Sequence, residues 1–305
     1  HVRSRRQRQM CIRDSDGMKK VVVVQSAIIA VLLLLSGVLV IAQANGISLS
    51  SILNDSNVSY IEFGDEFSGF DLWDHEGKAV TKISKGKKYT VTFYLSSSCS
   101  SCLDSISDFE RFAATFGDQI DYAIIWQDKI PDHYINKYSL DPSINYSLNG
   151  EAKLSTATPT FFILDDSGFV IFKDVSRENL IEKLILLDVT DSDELKSNAN
   201  KYIVDNYSNS SSNKPVLIYF YMPGCSDCDA ASKLFESNNV SDDYEIIYIY
   251  KYDSENGDYN IDKDKLFGLV YDINWYPSFI MIDKGSYREI GETPVENLLS
   301  VIYQR

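Results

Sequence analysis

Two Cys-x-x-Cys pairs, Cys99/Cys102 and Cys225/Cys228, constrain this 305-residue chain more than any other feature. Each sits between a strand-like run and a helical one. Tyr89-Thr90-Val91-Thr92-Phe93-Tyr94-Leu95, dense in β-branched and aromatic residues, reads as the strand before the first pair. Behind that pair, Leu103, Ile106, Phe109, Phe112 and Phe116 recur at three- and four-residue steps and predict a helix. Lys214-Pro215-Val216-Leu217-Ile218-Tyr219-Phe220-Tyr221 is the strand before the second pair, and a helix follows it to about Glu236. Each half then continues with a strand (121–126 and 244–250) and a proline-led strand (157–164 and 275–282). A polar turn and a closing helix (about 176–187 and 293–303) complete each half. Strands alternating with helices in this order imply an α/β sheet, built twice.

That placement gives the pairs a chemistry. The first thiol of each lies at a helix N-terminus, where unpaired backbone N–H groups and the helix dipole favour thiolate. The second lies one turn on, within disulfide reach. A thiolate at Cys99 or Cys225 can attack a disulfide, and Cys102 or Cys228 can resolve the mixed disulfide. No bound cofactor is required, because the cysteines carry the two electrons. Two blander readings stay open. Either pair could be a structural disulfide, or all four could bind zinc, although the pairs lie far outside zinc-ribbon spacing. Of the three histidines, His75 lies in a polar turn and His133 in a loop, and neither is assigned a role. The tyrosines around 244–252 read as sheet and surface.

On these residues the chain resembles the thioredoxin superfamily, in tandem. The resemblance implies a central mixed sheet flanked by helices. It also implies a cis proline packed on each cysteine pair, with adjacent backbone that pairs with the substrate chain. Thr158-Pro159 and Tyr276-Pro277 match that position. The first half is most similar to the membrane-tethered TlpA/ResA branch. The similarity runs through Gly64-Asp65-Glu66-Phe67, Leu72-Trp73-Asp74-His75-Glu76-Gly77-Lys78-Ala79-Val80, Lys85-Gly86-Lys87 and Pro159-Thr160-Phe161-Phe162-Ile163. The second half resembles a plain thioredoxin-like unit without the N-terminal hairpin. Three departures stand out. Ser98 and Gly224 occupy the usual tryptophan position. Phe93 and Tyr219 replace the buried acid that assists proton transfer at the resolving thiol. The enclosed dipeptides are Ser100-Ser101 and Ser226-Asp227. The Asp227 carboxylate opposes a nearby thiolate, so the second pair is expected to be the more reducing.

The N-terminus differs from the rest. Residues 1–17 hold five arginines and read as a non-native leader similar to translated adapter sequence, with a basic cytoplasmic tail as the alternative. Cys11 belongs to that stretch. Residues 21–41 contain no charge and are long enough to span a bilayer, so 18–44 is expected to be a signal anchor. Ala42-Gln43-Ala44 keeps cleavage and secretion open. Lys19 and Lys20 before the span place the C-terminal part outside the cytoplasm, where disulfides persist. Net charge is -15 over the whole chain, which disfavours nucleic-acid binding.

The expected fold class is therefore α/β, with two thioredoxin-like domains after an N-terminal transmembrane helix. A linker at 45–56 leads to a TlpA/ResA-like domain at 57–189 and a second thioredoxin-like domain at 190–305. The expected function is a membrane-anchored, extracytoplasmic thiol-disulfide oxidoreductase acting on exported thiol or disulfide proteins. Electrons would pass between the domains, or come from an integral membrane thiol carrier as the resemblance implies. A cell-surface binding scaffold with static disulfides is one alternative. A peroxide or methionine-sulfoxide repair partner is the other, though the peroxidase Thr three residues before the cysteine is replaced by Ser96 and Met222.

Overall fold

The two cysteine-bearing strands are buried almost throughout, and each lies in the interior of its own sheet in the computed structural model. The structure describes residues 60–304 except Gly69, 150–151, 210–212, 251–261, 263–264, Gly285 and Glu292. The leader, the expected anchor and the linker at 45–56 lie outside the described residues. Among the described residues no helix is long and apolar enough to cross a membrane.

The first sheet contains β1 (Leu72–Asp74), β2 (Ala79–Val80), β3 (Tyr89–Leu95), β4 (Asp121–Trp126), β5 (Asn145–Leu148), β6 (Thr160–Asp165) and β7 (Val170–Asp174), in the order β2-β1-β5-β4-β3-β6-β7. The second contains β8 (Val216–Tyr221), β9 (Glu245–Tyr250), β10 (Ser278–Asp283) and β11 (Ser286–Ile290), in the order β11-β10-β8-β9. In both, the cysteine-bearing strand pairs parallel with the next strand and antiparallel with the proline-led strand. Among the described residues, the hairpin β1–β2 and strand β5 belong to the first sheet and have no counterpart in the second. Strands β6 and β10 start after their prolines rather than at 157 and 275, since proline has no N–H to give the ladder.

The helices are α1 (Ser100–Ser107), α2 (Phe109–Phe116), α3 (Asp132–Lys137), α4 (Arg177–Leu186), α5 (Ser192–Tyr207), α6 (Ser226–Ser237), α7 (Val240–Asp243), α8 (Leu266–Val270) and α9 (Val295–Ile302). The single helix expected after Cys102 is broken in two at Asp108, whose φ is -101° and ψ 2°. Arg177 of α4 accounts for the break. Its Nη1 donates to the Ser105 carbonyl at 3.2 Å, and its Nη2 to the Asp108 carboxylate at 2.8 Å. A carbonyl released from the helix ladder thus keeps a donor.

Alternation sets which face each strand side chain meets. Val91, Phe93 and Leu95 enter one apolar cluster, while Tyr94 enters another with Ile61, Leu72 and Leu154. Helices α1, α2 and α4 cover the first of these faces. The cluster they form extends into the second half through Leu195, Ala199 and Ile203 of α5, Ile218 and Phe220 of β8, and Phe267 of α8. Residues 60–305 accordingly form one compact unit. The other face of β8 has its own cluster, with Leu217, Tyr219, Ala231, Phe235 and Leu298.

A buried charge cluster crosses the shared contact. Arg111, 3% exposed, lies 3.6 Å from the Asp108 carboxylate and 3.7 Å from that of Asp262. Asp262 in turn accepts the backbone N–H groups of Phe267 and Gly268, so it also caps α8. Removing one partner from a buried pair leaves uncompensated charge, costing about 3 kcal/mol or more. Asp108→Ala is accordingly expected to lower the unfolding free energy measured in urea by about that amount, seen as a lower midpoint. An unchanged midpoint would show that Asp262 alone compensates Arg111.

Candidate functional site

Each cysteine pair sits where its central strand turns into a helix. Cys99 and Cys225 are the N-cap residues of α1 and α6. The backbone N–H of Cys102 points at Cys99 Sγ, 3.2 Å away, and that of Cys228 at Cys225 Sγ, 3.1 Å away. A tight turn precedes both, with the Cys99 N–H donating to Ser96 O and the Cys225 N–H to Met222 O, each at 3.2 Å. In the second turn Pro223 and Gly224 fill the two central positions. Gly224 has φ +75°, which a side chain would resist.

Cys99–Cys102 and Cys225–Cys228 are both disulfide-bonded, with Cα–Cα separations of 5.2 Å. Their two sulfurs differ in access. Cys102 and Cys228 are fully buried, whereas Cys99 and Cys225 are half-buried at the surface. The four cysteines therefore make two local pairs on separate sheets, not one four-cysteine cluster. Among the described residues no group of three or more His, Cys, Asp or Glu could hold a metal ion.

The peptide bonds Thr158-Pro159 and Tyr276-Pro277 are both cis. The carbonyl oxygen of Thr158 lies 3.3 Å from Cys99 Sγ, and that of Tyr276 lies 3.6 Å from Cys225 Sγ. All eight residues singled out from the sequence thus meet at two points. The same register delivers both. Phe93, six residues before Cys99, pairs with Phe161, two residues after Pro159. Tyr219, six residues before Cys225, pairs with Phe279, two residues after Pro277.

Several contributors have no local sequence signal. Thr160 Oγ1 donates to the Ala157 carbonyl at 2.7 Å, and Ser278 Oγ to the Trp275 carbonyl at 2.6 Å. A hydroxyl directly after each proline therefore closes the loop; Pro-Thr and Pro-Ser were the only hint. Ser101 Oγ lies 3.3 Å from Cys99 Sγ. Ser97 binds the Asp128 carboxylate through both its backbone N–H and its hydroxyl, tying the first turn to the loop after β4.

The buried-acid position is filled differently in the two sites. Phe93 is fully buried and packs edge-on against Phe109, Phe112 and Phe161. Tyr219 is equally buried, but its hydroxyl donates to the Cys228 carbonyl at 2.6 Å. Burial pushes this phenol up to about 12, so it stays a protonated donor at neutral pH.

No protein-family model matches the chain, and no curated protein matches it. Among solved structures, a domain of a possible thiol-disulfide isomerase from Cytophaga hutchinsonii is similar at 20% identity. That likeness covers 43% of this chain and 95% of the other, with a TM-score of 0.34. A thio-disulfide isomerase from Thermus thermophilus is similar at 20% identity over 41% of this chain and 96% of the other, with a TM-score of 0.31. StoA from Bacillus subtilis is similar at 16% identity over 35% of this chain and 86% of its own, with a TM-score of 0.27.

The Tyr219 hydroxyl gives a local prediction. Tyr219→Phe keeps the ring packing and removes one buried hydrogen bond, so a loss of about 1 kcal/mol in denaturant unfolding is expected. Phe93→Tyr places a hydroxyl among phenylalanine rings and is expected to destabilise rather than to compensate.

Proposed function

We propose that this chain is a thiol-disulfide oxidoreductase with two exchange sites. Cys99 and Cys225 are the nucleophiles, and Cys102 and Cys228 are the resolving thiols. The observation that carries this reading is the division of access within each disulfide. A half-exposed sulfur at a helix N-terminus is bonded to a fully buried one, beside the carbonyl that precedes a cis proline. A substrate can reach only the first sulfur.

Starting from the reduced pair, the Cys99 thiolate attacks one sulfur of a substrate disulfide. The substrate S–S bond breaks, and its other sulfur leaves as a thiolate that takes up a proton. Cys102 then loses its proton and attacks Cys99 Sγ, which releases the second substrate thiol and leaves the Cys99–Cys102 disulfide. Two electrons have passed to the substrate. The second site runs the same sequence with Cys225 and Cys228. Backbone at Thr158-Pro159 and Tyr276-Pro277 is placed to hold the substrate strand. At the second site Trp275, 62% exposed, offers an apolar surface beside it.

In the full reading, a TlpA/ResA-like domain at 57–189 and a second thioredoxin-like domain at 190–305 are tethered outside the cytoplasm by the segment at 18–44. Exported proteins are the substrates, and a membrane thiol carrier recharges the pairs. The uncharged run at 21–41 after Lys19 and Lys20 supports the tether.

Trapping tests the chemistry. Cys102→Ser and Cys228→Ser are expected to accumulate mixed disulfides on non-reducing gels, whereas Cys99→Ser and Cys225→Ser are expected to accumulate none. If neither resolving-cysteine variant traps a partner and both native pairs resist mild reductant, the disulfides are static and the chain is a scaffold.

A further inference from the structure

The two sites share their backbone but not the ring of atoms around the attacking sulfur. Around Cys99 Sγ stand the Cys102 N–H at 3.2 Å, the Ser101 hydroxyl at 3.3 Å and the Thr158 carbonyl oxygen at 3.3 Å. Around Cys225 Sγ stand the Cys228 N–H at 3.1 Å and the Tyr276 carbonyl oxygen at 3.6 Å. The residue matching Ser101 is Asp227, an exposed side chain that has no proton to give when ionised.

We propose that Ser101 is a positioning residue for Cys99: its hydroxyl donates to the thiolate formed on reduction and makes Cys99–Cys102 the more oxidising of the two pairs. This rests on the exchange chemistry proposed above. In the disulfide, Cys99 Sγ is a weak acceptor and the contact contributes little. Reduction puts negative charge on that sulfur, and a hydrogen bond to a charged group is the stronger kind. The hydroxyl therefore stabilises the reduced state selectively, which raises the tendency of this pair to accept electrons. At the second site Asp227 does the reverse, because its carboxylate and the Cys225 thiolate repel. Two electrons are thus held more tightly at the first pair than at the second.

The test is an equilibrium titration of the full chain in glutathione buffers, with each pair read separately by alkylation and mass spectrometry. At equilibrium each two-electron oxidation of a pair reduces one glutathione disulfide to two glutathiones. Ser101→Ala is expected to shift the Cys99–Cys102 equilibrium about 2- to 10-fold toward the disulfide, the span of one net hydrogen bond. Ser101→Thr, which keeps the hydroxyl, is expected to restore it, and Ser100→Ala is expected to leave it unchanged. The difference between wild type and Ser101→Ala should vanish at pH values where Cys99 is a neutral thiol and grow as the thiolate forms. Asp227→Ser is expected to make Cys225–Cys228 easier to reduce.

An unshifted equilibrium in Ser101→Ala, an equal shift in Ser100→Ala, or a shift independent of pH would overturn the proposal while leaving the exchange reading intact. Failure of the native pairs to reduce in any buffer is a different result, and it would overturn that reading itself.

Discussion

The site depends on strand register. Each cysteine-bearing strand is zipped antiparallel to the proline-led strand so that the residue six before the first cysteine faces the residue two after the proline. Side chains alternate along a strand, so a slip of one residue in either strand would turn its phenylalanine, Phe93 or Phe161, out of their cluster. The rings resist this slip. Phe93 and Phe161 meet edge-on at 5.1 Å between centroids, and Tyr219 and Phe279 lie 4.7 Å apart. With the register fixed, the loop before each of these strands brings its carbonyl to the half-exposed sulfur. Packing far from the surface thereby sets the geometry at the surface.

The two halves use their faces differently. In the first, the cysteine helix α1 belongs to the cluster shared between the sheets, through Cys102 and Ile106. In the second, α6 packs on the opposite face of β8, through Ala231 and Phe235, and the shared cluster reaches that sheet from α5 and α8. The sites are therefore built alike locally but embedded unlike. Arg177 ties α1 to α4, whereas at α6 the Tyr219 hydroxyl holds a helix carbonyl from below. Two copies of one local arrangement are thus set in different surroundings without a change in their backbone.

Much of this was legible from residue types alone. Runs dense in β-branched and aromatic residues marked the central strands, and cysteines and prolines marked the points where the chain must turn. The mixed α/β architecture followed from those signals, whereas the meeting of Cys99 with the Thr158-Pro159 turn, and of Cys225 with Tyr276-Pro277, was implied only by the resemblance to the thioredoxin superfamily. Other features depend on distant partners. The break at Asp108 needs Arg177, 69 positions away, and nothing in the local helical period reports it. Strand β5 is only four residues long and carries Asn145, whose side chain accepts from buried Trp126. Tyr219 was visible as a departure, but its role as a donor to Cys228 appears only when helix α6 lies over the strand. Hydroxyl side chains such as Ser101, Thr160 and Ser278 are common in this chain, and only geometry separates these three from the rest.

The central claim is that both disulfides exchange under mild conditions in the folded protein. Equilibrating the native chain across a series of dithiothreitol buffers, while following near-ultraviolet circular dichroism to show that it stays folded, measures this directly. Two two-electron transitions are expected, both above about -300 mV, the level below which structural disulfides of secreted proteins typically lie. Pairs that reduce only below that level, or only as the fold is lost, would contradict the account and identify the disulfides as structural.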